Sequence, residues 1–131
     1  MSPELLANMI TLEEHSKNNT RLLVNVCLDY SGQWDIAQSC VRLMERDLVK
    51  SGKPLSIDTV VDQLDAFMST GRSPVDVMIR TGGEHRVSNF LLWQIAYAEL
   101  CVLDVYWPDF SFELMKRSLE EVAHRSRRFG K

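Results

Sequence analysis

The sequence predicts an α/β domain, a parallel β-sheet flanked by helices. Three observations lead there. Short apolar runs at Leu22–Leu28, Val75–Ile79 and Cys101–Val105 have the length and side-chain content of buried strands. Between them lie longer stretches with apolar residues at helical spacing, and strands that alternate with helices build parallel sheets. With 131 residues, 45% hydrophobic and 25% charged, the chain matches one ordinary folded domain, and no repeat or Gly/Pro/Ser-rich linker divides it.

The elements follow in order. Ser2 caps a first helix, Pro3 suits its first position, and Leu5, Leu6, Met9 and Leu12 share a face. The run Leu22–Leu28 reads as a strand, and Tyr30-Ser31-Gly32 turns the chain. A helix starts near Asp35, with Ile36, Cys40, Met44 and Leu48 as its buried stripe, and Gly52-Lys53-Pro54 stops it. Ser56 caps the next helix, which carries Ile57, Val60, Val61, Leu64 and Phe67. After a loop at 69–74, Val75–Ile79 forms the second strand. Asn89–Leu100 reads as a helix apolar almost all round, and Cys101–Val105 as the third strand, broken by Trp107-Pro108-Asp109. Ser111 caps a last helix with Phe112, Met115, Leu119 and Val122 inside.

Composition excludes several classes. A net charge of −3 argues against general nucleic-acid binding. Three cysteines (Cys27, Cys40, Cys101), with no C-x-x-C pair, argue against a disulfide framework or a zinc site and read as small buried hydrophobes in a reducing cytoplasm. The N-terminus lacks the features of a signal peptide. The longest uncharged run, Val87–Ala98, is twelve residues, too short to span a bilayer.

Chemistry concentrates in Arg80-Thr81-Gly82-Gly83-Glu84-His85-Arg86-Val87-Ser88-Asn89, between a strand and an expected helix. Ligands of open α/β sheets bind beyond the carboxyl ends of the strands. Two glycines permit a tight turn and close approach. A helix start offers unpaired N–H groups, and Arg80, Arg86 and Ser88 supply donors suited to a phosphate or diphosphate. No Lys-Ser/Thr pair follows the glycines and no G-x-G-x-x-G occurs, so neither a P-loop nor a dinucleotide fingerprint is present. An ordinary strand-to-helix turn with two surface arginines also fits.

Glu99 is the only carboxylate near the end of the apolar helix expected there. It reads either as a metal-binding or paired charge or as a helix-end residue reaching solvent. His85 lies in the loop and is a poor ligand for a hard cation such as Mg²⁺. From Lys116 to Lys131 six basic residues face only Glu120 and Glu121; this tail reads as a solvated helix end or as a source of a further arginine for an anion or a neighbouring subunit. His15 and His124 read as surface residues.

The stretch Asp76-Val77-Met78-Ile79-Arg80-Thr81-Gly82-Gly83-Glu84-His85-Arg86-Val87-Ser88-Asn89-Phe90-Leu91-Leu92-Trp93-Gln94 resembles the signature of cis-prenyltransferases, the undecaprenyl diphosphate synthase family. The likeness continues through Ile95–Leu100, Trp107-Pro108-Asp109-Phe110 and Arg127-Arg128-Phe129-Gly130, and upstream through Asn25–Ile36. It implies a cytoplasmic, homodimeric enzyme that condenses isopentenyl diphosphate onto an allylic diphosphate, usually farnesyl diphosphate, with Mg²⁺, to give a lipid product. It assigns isopentenyl diphosphate to Arg80, Arg86 and Ser88 with Val87 backbone between them, the loop being shaped by Gly82, Gly83 and Glu84. It assigns Mg²⁺ to Glu99 with His85 close by, subunit contact to the Phe90–Phe110 region, and the partner's diphosphate to the tail with Arg127, Arg128 and Gly130.

The likeness begins partway through the family pattern. The family's Asp-Gly-Asn-Gly-Arg-Trp motif, which serves the allylic diphosphate and carries catalytic residues, has no counterpart here. Residues 1–131 are therefore expected to be the C-terminal portion of a single domain, holding one diphosphate site of two and having little condensing activity alone. A non-catalytic partner subunit of a heteromeric enzyme and an inactive fragment are the alternatives. Asp29, Ser31 and Gln33 stand where many relatives carry Asn, Gly and Arg.

Overall fold

A cap and a proline set the start of α1 (Pro3–Ser16) in the computed structural model, which describes residues 2–52, 54–71 and 74–125, the side chains of 48–51 excepted. Ser2 Oγ accepts from Leu5 N–H at 3.2 Å, as the sequence predicts. The helix buries none of its residues, so Leu5, Leu6, Ile10 and Leu12 face outward.

The run Leu22–Leu28 has no regular secondary structure and is not a strand. A strand exists only against a partner that takes up its backbone N–H and C=O groups. Among the described residues none pairs with this run, and Leu23 stays 81% exposed. The sheet therefore has two strands where three are expected. These are β1 (Val77–Thr81) and β2 (Glu99–Leu103), parallel, with Val77 opposite Glu99 and Thr81 opposite Leu103. Both are shifted two residues from their expected bounds, one later and one earlier.

The helix α2 (Gly32–Ser51) begins three residues before Asp35. Its buried stripe is Asp35, Ser39 and Leu43, displaced one position from the expected Ile36, Cys40 and Met44; the side chain of Leu48 lies outside the described residues. Hydrogen bonding explains the shift, because a polar side chain is buried cheaply when it is paired. Ser39 Oγ donates to the Phe67 carbonyl at 2.9 Å. Asp35, 1% exposed, accepts from Ser69 N–H at 3.0 Å and Ser69 Oγ at 2.7 Å on one oxygen. Its other oxygen accepts from Tyr30 Oη at 2.8 Å and Gln94 Nε2 at 3.4 Å. Ser56 caps α3 (Ile57–Gln63), which runs into a 3₁₀ turn at Leu64–Phe67. Leu64 enters the core beside Leu43 and Met68, while Ile57 and Val61 remain outside.

Asn89–Leu100 is not a helix. It is a chain of turns that delivers Glu99 into β2. Positive φ at Ser88 (48°), Asn89 (62°) and Leu91 (45°) cannot continue a right-handed helix. Tertiary bonds hold the segment instead: Gln94 Nε2 donates to Thr70 Oγ1 at 3.0 Å, its carbonyl accepts from Val75 N–H at 3.0 Å, and Trp93 Nε1 donates to Asp65. Ser111 caps α4 (Phe112–Ala123), which packs on both strands. The buried line of α4 runs through Ser118, not through Phe112, Met115 and Leu119, which are exposed. The small Ser118 side chain lets Cys101 of β2 approach, its thiol 3.8 Å from the Ser118 carbonyl.

Candidate functional site

The site forms where β1 runs out. Arg80 is the fourth residue of β1, and the chain then turns through Gly82 (φ 88°) and Gly83 (φ 66°), left-handed conformations that glycine adopts most readily. The glycine N–H groups do not face a ligand. They donate to the Val105 carbonyl at 2.7 Å and the Leu103 carbonyl at 3.0 Å, tying the loop to the end of β2. A side chain at Gly83 would crowd Asp104, whose Oδ1 would lie 3.1 Å from the added carbon. No helix follows the loop, so the expected helix-start donors are absent and the side chains carry the chemistry.

Those side chains converge. Arg80 Nη1 donates to Ser88 Oγ at 3.1 Å and to the Arg86 carbonyl, which leaves its Nε and Nη2 donors for an anion. Arg86 pairs with Glu84 at 2.7 Å, both groups being largely exposed. An exposed pair of this kind is worth at most about 1 kcal/mol, so Arg86 can exchange Glu84 for a phosphate oxygen at little cost. Arg80, Glu84, His85, Arg86 and Val87 line a cleft of about 320 Å³, floored by apolar side chains of the two strands. That volume lies at the lower end of ligand pockets.

Strand alternation sorts the remaining groups. Arg80 lies opposite Val102, and Met78 opposite Leu100, all four on the cleft. By alternation the side chains of Glu99 and Cys101 belong to the opposite face, which α4 covers, although Cys101 also borders the cleft. There Glu99 pairs with Arg125 at 3.1 Å, and Arg125 also binds Glu121 and the Leu100 carbonyl. The structure thus gathers Arg80, Glu84, His85, Arg86, Val87 and Ser88 and does not bring Glu99 to them. Arg127, Arg128 and Gly130 lie outside the described residues. Burial pushes the Cys101 thiol up, and Arg125 beside it only partly offsets this, so the group is a protonated core residue at neutral pH.

Sequence reading missed Met78, Leu100 and Val102 as cleft residues, although alternation along each strand marks them. It also gave no role to Asn89. Its carboxamide closes the start of α2: Oδ1 accepts from Gln33 N–H at 2.9 Å and Nδ2 donates to Ser31 Oγ at 2.9 Å. A Ser-Asn pair before an apolar run is a weak signal of left-handed backbone, since Asn adopts it more readily than most residues.

The family model described as "Putative undecaprenyl diphosphate synthase" matches residues 1–130. The chain belongs to this family. The ditrans,polycis-undecaprenyl-diphosphate synthase of Pseudomonas putida, specific for (2E,6E)-farnesyl diphosphate, is 48% identical over 130 residues, 98% of this chain and 51% of that protein. Its counterpart from Escherichia coli K12 is 46% identical over 118 residues, 90% of this chain and 46% of that protein. The chain spans about half the length of the curated relatives it matches. Among solved structures, a probable undecaprenyl diphosphate synthase from Campylobacter jejuni aligns with a TM-score of 0.79 and 27% identity, over 100% of this chain and 58% of that one. Lavandulyl diphosphate synthase from Lavandula x intermedia, in complex with dimethylallyl diphosphate, aligns with a TM-score of 0.81 and 28% identity, over 98% of this chain and 56% of that one. The β1–β2 pair and the four helices are therefore part of the cis-prenyltransferase fold. No described helix is long and apolar enough to cross a membrane.

Proposed function

We propose that this chain carries the isopentenyl diphosphate site of a cis-prenyl transfer, in which isopentenyl diphosphate is added to an allylic diphosphate such as farnesyl diphosphate. The observation that carries the reading is a cleft with an apolar floor lined by Arg80 and Arg86, with Ser88 Oγ hydrogen-bonded to Arg80. Two guanidinium forks match the charge and the oxygen geometry of a diphosphate. Ser88 Oγ adds a donor, and the Val87 backbone spans the gap between the two anchors. Gly82, Gly83 and Glu84 set the loop's path. Met78, Leu100 and Val102 give a five-carbon chain a surface free of competing polar groups.

Mg²⁺ belongs to the same proposal. It is a hard cation held by oxygen ligands, often one or two carboxylates together with substrate phosphates. Among the described residues no three His, Cys, Asp or Glu side chains converge. By the family resemblance Glu99 would be the carboxylate that holds the metal, together with diphosphate oxygens and water, whereas in this structure it pairs with Arg125 away from the cleft. Glu99 would have to give up Arg125 to take that role, and His85 lies in the cleft wall. When bound, the metal would neutralise diphosphate charge. Homodimer contacts through the Phe90–Phe110 region, delivery of Arg127, Arg128 and Gly130 to the partner's diphosphate, a cytoplasmic site of action and release of the lipid product to a membrane complete the proposal. The equipped cleft favours this reading over a purely structural subunit.

Calorimetric titration of the 131-residue chain with isopentenyl diphosphate tests it. Saturable binding is expected, weakened about tenfold or more by Arg80→Ala, because hydrogen bonds to charged groups contribute about 1.5–3 kcal/mol each. With farnesyl diphosphate and Mg²⁺ added, the chain alone is expected to give little or no long-chain product. Absence of binding, or equal binding by the variant, would refute the site.

A further inference from the structure

We infer that Asn89 is a positioning residue for the diphosphate cleft, linking the start of α2 to the donors Ser88 and Arg80. The inference rests on the diphosphate reading for its ligand and on hydrogen bonds within the fold for its geometry. Three bonds lock Asn89 to a segment distant in sequence. Its Oδ1 accepts from Gln33 N–H at 2.9 Å, its Nδ2 donates to Ser31 Oγ at 2.9 Å, and its carbonyl accepts from Gly32 N–H at 2.8 Å. These bonds also occupy the first two N–H groups of α2, so that helix start is a clamp and not an anion site.

The clamp is needed because the backbone beside it is strained. Ser88 and Asn89 are consecutive left-handed residues, with Leu91 a third, and such conformations cost of order 1–3 kcal/mol each unless their surroundings impose them. Asn tolerates this region, whereas Ser and Leu tolerate it less well. Ser88 is the residue whose hydroxyl meets Arg80 Nη1, so the backbone angle at 88 sets where both donors point. Gly32 completes the device. A carbon added there would lie 2.9 Å from the Asn89 carbonyl oxygen and 2.9 Å from Leu92 Cγ, so the approach of α2 depends on that glycine.

A double-mutant cycle with inorganic diphosphate as the probe tests the inference on the 131-residue chain, with amide NMR spectra of the same samples. Asn89→Gly keeps the left-handed backbone accessible and removes only the side-chain clamp. It is expected to shift the Ser88 and Arg80 signals without ligand and to weaken diphosphate binding about tenfold, the effect of one lost hydrogen bond to a charged group. In an Arg80→Ala background the same change is expected to cost less, since a residue acting partly through Arg80 couples to it. Ser31→Ala, which removes the Nδ2 partner together with the acceptor of Trp34 N–H at 3.3 Å, is expected to reproduce a smaller part of the shift and serves if Asn89→Gly unfolds the chain. Unchanged Ser88 and Arg80 signals, or an equal loss of affinity in both backgrounds, overturns the inference. If the wild-type chain binds no diphosphate the functional reading falls, and the ligand-free signals alone then decide the positioning role.

Discussion

Asp35 sits in the first turn of α2 with almost no exposure. Burial alone raises its pKa, but the side-chain and backbone bonds from Ser69, with those from Tyr30 and Gln94, outweigh burial and hold the carboxyl below its usual range. The Tyr30 hydroxyl moves the other way, pushed up by burial and by its bond to Asp35. The linkage has a definite sign. A carboxyl whose folded pKa lies below its unfolded value of about 3.9 stabilises the fold above that pH, and the contribution is lost as pH falls through the folded pKa. Asp35→Asn is expected to cost about 2–3 kcal/mol at pH 7, with the gap from wild type closing in acid, read by urea unfolding at both pH values. A gap independent of pH would exclude a charged Asp35. The clustering of Arg80, Arg86 and Ser88 around the Gly82-Gly83 turn is legible because these residues lie close together in the chain. Asp35 and Asn89 are not, because their roles lie in bonds to distant segments.

At the scale of elements the interior follows hydrogen bonding as much as hydropathy. In α2 the buried line Asp35–Ser39–Leu43 and in α4 the buried Ser118 displaced the stripes that apolar spacing marks. A periodicity argument scores polar residues as outward, so it slipped by one residue wherever a paired polar group was inside. The test is a contrast between neighbours on α2. Leu43→Ala, at a fully buried position, is expected to cost about 2–5 kcal/mol. Met44→Ala, one residue on and half exposed, is expected to fall within about 0.5 kcal/mol of wild type. The reverse order in chemical denaturation would restore the apolar stripe. The turns at 88–97 were illegible for a related reason. Nine of the twelve residues at 87–98 are apolar, which reads as a helix, whereas the left-handed backbone at Ser88, Asn89 and Leu91 depends on contacts with α2. The caps Ser2, Ser56 and Ser111 are legible because each rests on a short local pattern, whereas the parallel pairing of β1 and β2 is correct although the connection between them is turns and not the expected helix.

For the whole molecule the telling quantity is surface. The chain exposes 10628 Å², against roughly 7,100 Å² for a compact monomer of its mass. The excess, about 3,500 Å², is the size of an obligate interface, and it includes Leu22, Leu23, Val24 and Val26 along the unpaired run and Phe112 on α4. Exposed apolar side chains in this number mark contact with further protein. Sedimentation is therefore expected to show association that grows with concentration and weakens in a Leu23→Lys, Val26→Lys double variant. A monomer at every concentration would contradict it. The run was read as a strand for its composition, and composition cannot report whether a partner strand is present. The isopentenyl diphosphate site is tested most directly by an NMR titration of the chain with that ligand, followed residue by residue. The predicted result is shifts centred on Arg80, Arg86, Val87 and Ser88, with smaller ones at Leu100 and Val102. Shifts centred elsewhere, or none at saturating ligand, would contradict it.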